Sequence, residues 1–134
     1  MINLGYHKNL NRMPQLAYEY TAEHMGEDYP NSGTLAMFCF MFSRDVLDVI
    51  GPLDEGYGIG MFEDDDYCMA ARRKGFEVVL AEDVFIHHYG SVSFKKLEDE
   101  SYRELFEQNK KRFEQKWGQK WKMHSYRPGV VPEN

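Results

Sequence analysis

The sequence has little cysteine, no long apolar run and no excess of positive charge, and each deficit excludes a class of protein. Its two cysteines, Cys39 and Cys68, are too few for a disulfide framework. Both lie in apolar surroundings, so we expect free, buried thiols in a reducing compartment. The longest apolar run, Leu35 to Phe42, is far shorter than the roughly 18–20 residues of a bilayer span. The net charge of −6 argues against a nucleic-acid surface. The N-terminus has no basic flank followed by an apolar core, so we expect no signal peptide.

What the chain does contain indicates one domain with a real core. It has 134 residues, of which 43% are hydrophobic and 15% aromatic. We divide it into a lead-in over 1–32, a central α/β part over 33–96, an amphipathic helical segment over 97–126 and a frayed tail over 127–134. The lead-in contains a helix that starts near Pro14, because proline suits a first helical turn.

The central part predicts an α/β fold, with a mixed sheet and flanking helices. Residues 35–42 are apolar on both faces, which predicts a strand in the middle of a covered sheet. Further strands are predicted at 76–80 and 84–89, and a turn is predicted at 27–33. Two helices are predicted, one at 44–50 after a cap at Ser43 and one at 63–74 closed by Gly75.

Four consecutive carboxylates, Glu63 to Asp66, open the second of these helices directly after a glycine-rich loop at 51–60. One interpretation is the acidic first turn of a surface helix, which the helix dipole stabilises, and we prefer it for Asp65. The other is functional, because neighbouring negative charges repel one another and such clusters mark a metal, a bound cation or acid–base chemistry. We prefer the functional interpretation for Glu63 and Asp64.

Two further places leave alternatives open. In the loop, Asp54 and Glu55 suit either side-chain hydrogen bonds to the backbone or an active site, and Gly60 lets backbone or ligand come close. His87 and His88 follow a predicted strand, where one of them could be a metal ligand or a structural, hydrogen-bonded residue. Only one can face the acidic cluster, since successive strand side chains point to opposite faces.

The C-terminal segment is rich in basic residues. The aromatic and apolar residues from Tyr102 to Trp121 fall at helical spacing. The basic residues between them suit the solvated face of an amphipathic helix, and this is the interpretation we prefer. The alternative is a helix that lies on an anionic membrane surface or on a partner.

Several spaced motifs, taken in order, resemble the C-terminal half of family 2 glycosyltransferases, which are inverting enzymes with the GT-A fold that build cell-surface glycans. The resemblance covers about residues 33–118. It is carried by Arg44, Gly51-Pro52-Leu53-Asp54-Glu55, the run from Glu63 to Arg72, Gly75-Phe76 and the run from His87 to Phe94.

The resemblance implies a role for several residues. Asp64 is the catalytic base with Glu63 beside it, and Asp66 is a frequent acid of the same motif. Asp66 is placed on the acceptor side together with Asp54, Glu55 and Gly60. His87 is a ligand of the divalent cation. Ala70 stands where the family commonly has arginine.

The family's nucleotide-binding half, with its Asp-x-Asp motif, has no counterpart in these residues. We therefore expect a fragment or module, in which residues 33–96 form the acceptor and catalytic-base half. We expect this chain to be inactive alone and to work with a missing N-terminal half or another subunit. The resemblance implies a nucleotide-sugar donor, a glycan acceptor and Mn²⁺ or Mg²⁺ in the full enzyme, with no cation bound to this chain.

It also implies a cytoplasmic location, with peripheral membrane association at the inner face as one option, and an exposed sheet edge would favour a homodimer. Two alternatives remain open. One is a non-catalytic module of this fold that binds glycan or a partner, and the other is an unrelated acidic metal-binding domain.

Overall fold

A computed structural model describes residues 10–30, 33–87 and 99–123. Four α-helices and two short strands follow in chain order, and short 3-10 turns precede α1 and α3. They are α1 (Met13–Glu23), β1 (Asp28–Pro30), α2 (Arg44–Ile50), α3 (Glu63–Arg73), β2 (Val79–Ala81) and α4 (Asp99–Trp117). Within these residues, no helix has the length and apolarity needed to cross a bilayer.

The α/β class is confirmed, but the sheet differs from the one predicted. β1 and β2 pair antiparallel, with Tyr29 opposite Leu80, and they form a two-stranded sheet where a mixed sheet was expected. β1 begins at Asp28, inside the segment predicted as a turn. The side chain of Tyr20 ties α1 to the chain just after β2, because its hydroxyl donates to buried Glu82 at 2.6 Å.

The predicted interior strand at 35–42 is wrong. These residues form no strand. Leu35 and Phe40 pack against α3, whereas Phe38 is 44% exposed and Met41 is 95% exposed. The apolar run indicated burial on both faces, but burial as a strand requires neighbouring strands, and among the described residues none pairs with it. Cys39, in the same segment, is exposed, contrary to our expectation, while Cys68 is buried as expected.

The other strand predictions are met in part. β2 covers only the end of the predicted strand at 76–80, and residues 84–87 are not in a strand. Residues 88–98 lie outside the described part of the chain, so His88 and the end of the His87 to Phe94 motif cannot be placed. The same holds for the predicted frayed tail at 127–134.

The helix predictions are largely confirmed. α2 has the predicted bounds, although the Ser43 side chain makes no capping hydrogen bond. α3 ends one residue before the predicted end, and α1 carries Pro14 in its first turn. Among the described residues of the segment predicted at 97–126, the helix runs from Asp99 to Trp117 and ends before Gly118, whose φ of +66° is a conformation that glycine adopts without strain.

α3 lies between two apolar clusters. On one side Tyr57, Phe62 and Phe113 are buried, with aromatic residues of α4 packed against them. On the other side, Cys68 and Ala71 of α3 pack with the apolar segment before α2 and with the chain leading into β2. The position of α3 between α4 and the remainder of the molecule therefore fixes where its four carboxylates point.

Candidate functional site

The backbone that leads into the four carboxylates is strained. Met61 and Phe62 have φ values of +72° and +73°, a left-handed region that few non-glycine residues adopt. Gly60 precedes them with a φ of +134°. Such residues cost of the order of 1–3 kcal/mol each and cluster at functional sites. The strain ends at Glu63, the first residue of α3.

One buried side chain of α4 holds this loop. The Asn109 side-chain nitrogen lies 2.9 Å from the Tyr57 carbonyl oxygen, 2.9 Å from that of Gly60 and 3.1 Å from that of Met61. Asn109 is 3% exposed. Phe62, also 3% exposed, is fixed by ring contacts to α4 and to Trp121. The loop is therefore set by the neighbouring helix and not by its own sequence alone.

Asp66 is a buried structural carboxylate. Its Oδ1 accepts hydrogen bonds from the Tyr57 hydroxyl at 3.0 Å and from the Trp117 indole at 2.8 Å. Its Oδ2 accepts from Lys116 Nζ at 2.8 Å. Only 7% of its side chain is exposed, so its charge is compensated inside the protein by Lys116. The sequence prediction of an acceptor-side role for Asp66 remains untested, and its visible contacts are structural.

Asp65 is also buried, and the interpretation of this residue as part of a solvent-facing helix surface is wrong. Asp65 is 8% exposed. Its Oδ1 accepts from the Thr34 hydroxyl at 2.6 Å and from the Trp121 indole at 3.1 Å. Trp121 reaches it because the chain turns at Gly118, and the Trp121 backbone N–H then donates to Glu114.

Glu63 and Asp64 are less buried than Asp65 and Asp66. Both are half-buried, and Asp64 Oδ1 accepts the backbone N–H of Asp65 at 2.9 Å. Glu63 Oε2 is buried and has no hydrogen-bond partner among the described residues. The same is true of the hydroxyl of Tyr67, which lies four positions further on the same face of α3. Buried polar atoms are usually paired, so an unpaired one requires an explanation such as a ligand or water.

Asp54 is the second carboxylate of an ionic network that connects the loop to α4. It accepts from Arg112 at 2.9 Å and from Lys116 at 2.8 Å, and its side chain also accepts the N–H of Gly56. The hydrogen bond from Lys116, followed by that from Gly56, lowers the pKa of Asp54 to about 2. Of the two interpretations left open for Asp54, the hydrogen bond from its side chain to the backbone is observed, at Gly56, and Glu55 is exposed in the adjoining 3-10 turn.

Lys116 is at the centre of this network. Burial lowers the pKa of its ammonium group, but the hydrogen bonds to Asp54 and Asp66 outweigh that effect and the pKa is raised. Burial, followed by the charge of Asp66, raises the pKa of Tyr57. Lys116 and Arg112 are only 38% and 44% exposed in their side chains, so this part of the predicted solvated basic face is engaged with carboxylates of the protein.

The structure does not bring His87 into a metal centre. Across residues 10–30, 33–87 and 99–123, no three histidine, cysteine, aspartate or glutamate side chains gather as a metal site would need. His87 is half-buried. Its assignment as a cation ligand therefore remains a prediction from the resemblance.

Comparison with family models, with curated proteins and with solved structures finds no match for this chain. The resemblance to glycosyltransferases therefore depends on the motifs in the sequence.

Asn109 is the residue of the site that sequence reasoning missed. A usable signal was present, because Asn109 falls between Phe106 and Phe113 on the apolar stripe of α4. A polar residue within an apolar stripe must find hydrogen-bond partners when the stripe is buried. Which carbonyls it would meet could not be predicted, since they lie about 50 positions away, for example 52 for Tyr57.

Proposed function

We propose that this chain supplies the catalytic base and the acceptor side of an inverting glycosyltransferase with a GT-A-like fold, with Asp64 as the base and Glu63 beside it. One observation carries the proposal. Of four consecutive carboxylates, Asp65 and Asp66 are taken up by structural hydrogen bonds, whereas Glu63 keeps a buried oxygen without a hydrogen-bond partner among the described residues. Such an oxygen, next to a strained loop, suits the hydroxyl group of an acceptor.

The reaction is a single displacement. Asp64 takes the proton of the acceptor hydroxyl, whose oxygen then forms a bond to the anomeric carbon of the donor sugar. The bond from that carbon to the nucleoside diphosphate breaks, and the diphosphate leaves with the electron pair. Attack from the side opposite to the leaving group inverts the anomeric centre. Asp64 lies in the first turn of α3, directly after Glu63.

The proposal gives this chain a smaller part in binding the donor and the cation. The nucleotide-sugar would bind to a donor half outside the described residues. His87 would be the ligand that this chain offers to Mn²⁺ or Mg²⁺, ions that usually also take oxygen ligands from substrate phosphates. The described side chains do not form a cation site by themselves.

The test is Asp64→Asn in the protein assayed together with its donor half, either joined to it or supplied as a second subunit. Asparagine keeps the size of the side chain but cannot take the proton, so transfer of labelled sugar should fall by about 10²–10⁴-fold. Thermal unfolding should be unchanged. Asp45→Asn is the matched control, because Asp45 is an exposed aspartate in the first turn of α2, and it should transfer sugar normally.

Two outcomes contradict the assignment in different ways. Near-normal turnover of Asp64→Asn with a large loss in Glu63→Gln would move the base by one residue. Near-normal turnover of both variants would refute the catalytic role of the pair.

A glycan-binding module without catalysis is the second candidate, and the partly exposed rings of Phe38 and Phe42 favour it. Phe38 and Phe42 are 44% and 41% exposed, and exposed aromatic rings of this kind mark surfaces that bind a ligand or a partner. In this case the isolated wild-type chain and its Asp64→Asn variant would bind glycan equally well, and neither would support sugar transfer.

A further inference from the structure

We infer that Asn109 is a positioning residue that sets the direction of the two proposed catalytic carboxylates. The inference rests on the proposed function for its effect on catalysis, but its structural part stands on the geometry alone. The Asn109 amide is buried and contacts three carbonyl groups of the loop that ends at Glu63. It does not contact either carboxylate in these hydrogen bonds, so it acts through the backbone.

The loop needs this support because three of its backbone carbonyl groups depend on a side chain for their hydrogen bonds. The carbonyls of Tyr57, Gly60 and Met61 precede α3 and accept hydrogen bonds from a side chain of another helix. A buried carbonyl left without a donor costs roughly 1–3 kcal/mol. The two left-handed residues, Met61 and Phe62, add strain that persists only where the surroundings enforce it.

Phe62 is the last residue before α3, and its left-handed conformation sets the direction in which the helix leaves the loop. Glu63 and Asp64 are the first two residues of that helix. A change in the backbone at Met61 or Phe62 therefore moves both carboxylates together. Asp65 and Asp66 are held independently by hydrogen bonds from Trp121 and Lys116, so the displacement would be greatest at the start of the helix.

The amide of asparagine suits this position for a chemical reason. It presents two N–H groups to three carbonyl oxygens, so that one N–H is shared between two acceptors. Alanine would leave the carbonyls unpaired, and aspartate would present a negative charge to them. The ring contacts of Phe62 with Phe106 and Phe113, on either side of Asn109 along α4, keep the helix in place when the amide is removed.

The test begins with Asn109→Ala in the full chain and does not require activity. The three-bond coupling between the amide and α protons of Met61 and Phe62 reports φ, and we expect it to change together with the amide shifts of Glu63 and Asp64. Gln108→Ala, at the exposed neighbour of Asn109, should leave these signals unchanged. If the signals of residues 61–64 in Asn109→Ala match those of wild type, the inference is overturned.

The second measurement is transfer by the protein with its donor half. A misplacement of about 1 Å can cost on the order of 10²-fold in rate, so Asn109→Ala should lower kcat about 10–100-fold with a smaller change in the donor KM. Adding Met61→Gly should recover part of kcat, because glycine adopts the left-handed conformation without strain. A merely structural Asn109 would predict the opposite, since Met61→Gly removes a partly buried side chain from the core and would lower the folded fraction further.

The outcomes separate the two proposals. Changed signals at 61–64 with normal transfer by Asp64→Asn would refute the catalytic assignment and keep Asn109 as the residue that sets the loop. Unchanged signals with a large loss in Asp64→Asn would refute the positioning role alone. If Asn109→Ala does not fold, Asn109→Ser, which retains one donor, is measured in the same way and should show a smaller change of the same kind; wild-type signals in that variant would also overturn the inference.

Discussion

Replacing Lys116 by methionine tests how much the buried charge of Asp66 depends on its partner. The Lys116 ammonium group lies 2.8 Å from Asp66 and 2.8 Å from Asp54. Methionine keeps most of the apolar stem and removes the charged end, which also lies 5.4 Å from the centre of the Trp117 ring. The carboxylate of Asp66, with 7% of its side chain exposed, would remain buried without its cation.

The expected loss of stability can be bounded from the structure. Removing one partner of a fully buried ion pair costs about 3–5 kcal/mol, whereas an exposed pair is worth about 0–1 kcal/mol. Lys116 is 38% exposed, and Asp66 keeps its hydrogen bonds from Tyr57 and Trp117 and the favourable helix dipole. We therefore expect Lys116→Met to lower the free energy of unfolding by about 2 kcal/mol.

The chain contains a matched control for this experiment. Lys120 lies 2.8 Å from Glu114, which is the same separation, but the Lys120 side chain is 87% exposed. Lys120→Met should cost less than about 0.5 kcal/mol. Both variants are compared with wild type by urea unfolding at pH 7. The double variant Lys116→Met with Asp66→Asn should be less destabilised than the sum of the single ones, because the two residues interact directly.

Equal losses in Lys116→Met and Lys120→Met would refute this reasoning. So would strict additivity between the changes at Lys116 and Asp66. Either result would mean that burial of Asp66 does not strengthen its dependence on the lysine, and that the neutral donors Tyr57 and Trp117 are sufficient to hold the carboxylate.

Three further predictions concern pH, an unpaired hydroxyl and the thiols. Since the pKa of Asp54 is lowered from 3.8 to about 2, its ionised form stabilises the fold above pH 4 and this contribution is lost as the pH falls towards 2. The difference in unfolding free energy between wild type and Asp54→Asn, after allowance for solvent screening, should be about 1 kcal/mol at pH 7 and should shrink over that range; a difference independent of pH would contradict it. Tyr67→Phe removes a buried hydroxyl with no hydrogen-bond partner among the described residues, so chemical denaturation should show unchanged stability or a gain of up to about 1 kcal/mol, and a clear loss would reveal a partner. Cys39 is exposed and Cys68 is buried, with a pKa raised by that burial, so a thiol reagent should modify one cysteine in the native protein and both after denaturation; rapid modification of both in the native protein would be the opposite result.

Sequence reasoning predicted the helices that carry this site more reliably than the burial and hydrogen bonding of each side chain. It preferred a functional role for Glu63 and Asp64, which stays a prediction, and it assigned Asp65 to a solvent-facing surface, which is wrong. The hydrogen bond from Trp121 that buries Asp65 spans 56 positions, and helical periodicity carries no information about such a contact. Periodicity identified the apolar stripe of α4 but not its function, which is to hold the loop through Asn109.

What the sequence by itself determined is local. The bounds of α2 and the start of α3 follow from signals within a few residues, because helix starts and stops depend on the hydrogen bonding of adjacent backbone groups. The tertiary structure alone decided that Asp65 and Asp66, of the four carboxylates, are buried and hydrogen-bonded by α4 and the chain after it. It also decided that residues 35–42 are not a strand, since a strand exists only with a partner. These outcomes depend on contacts such as that between Lys116 and Asp66, which lie 50 positions apart and become neighbours only when α4 packs against α3.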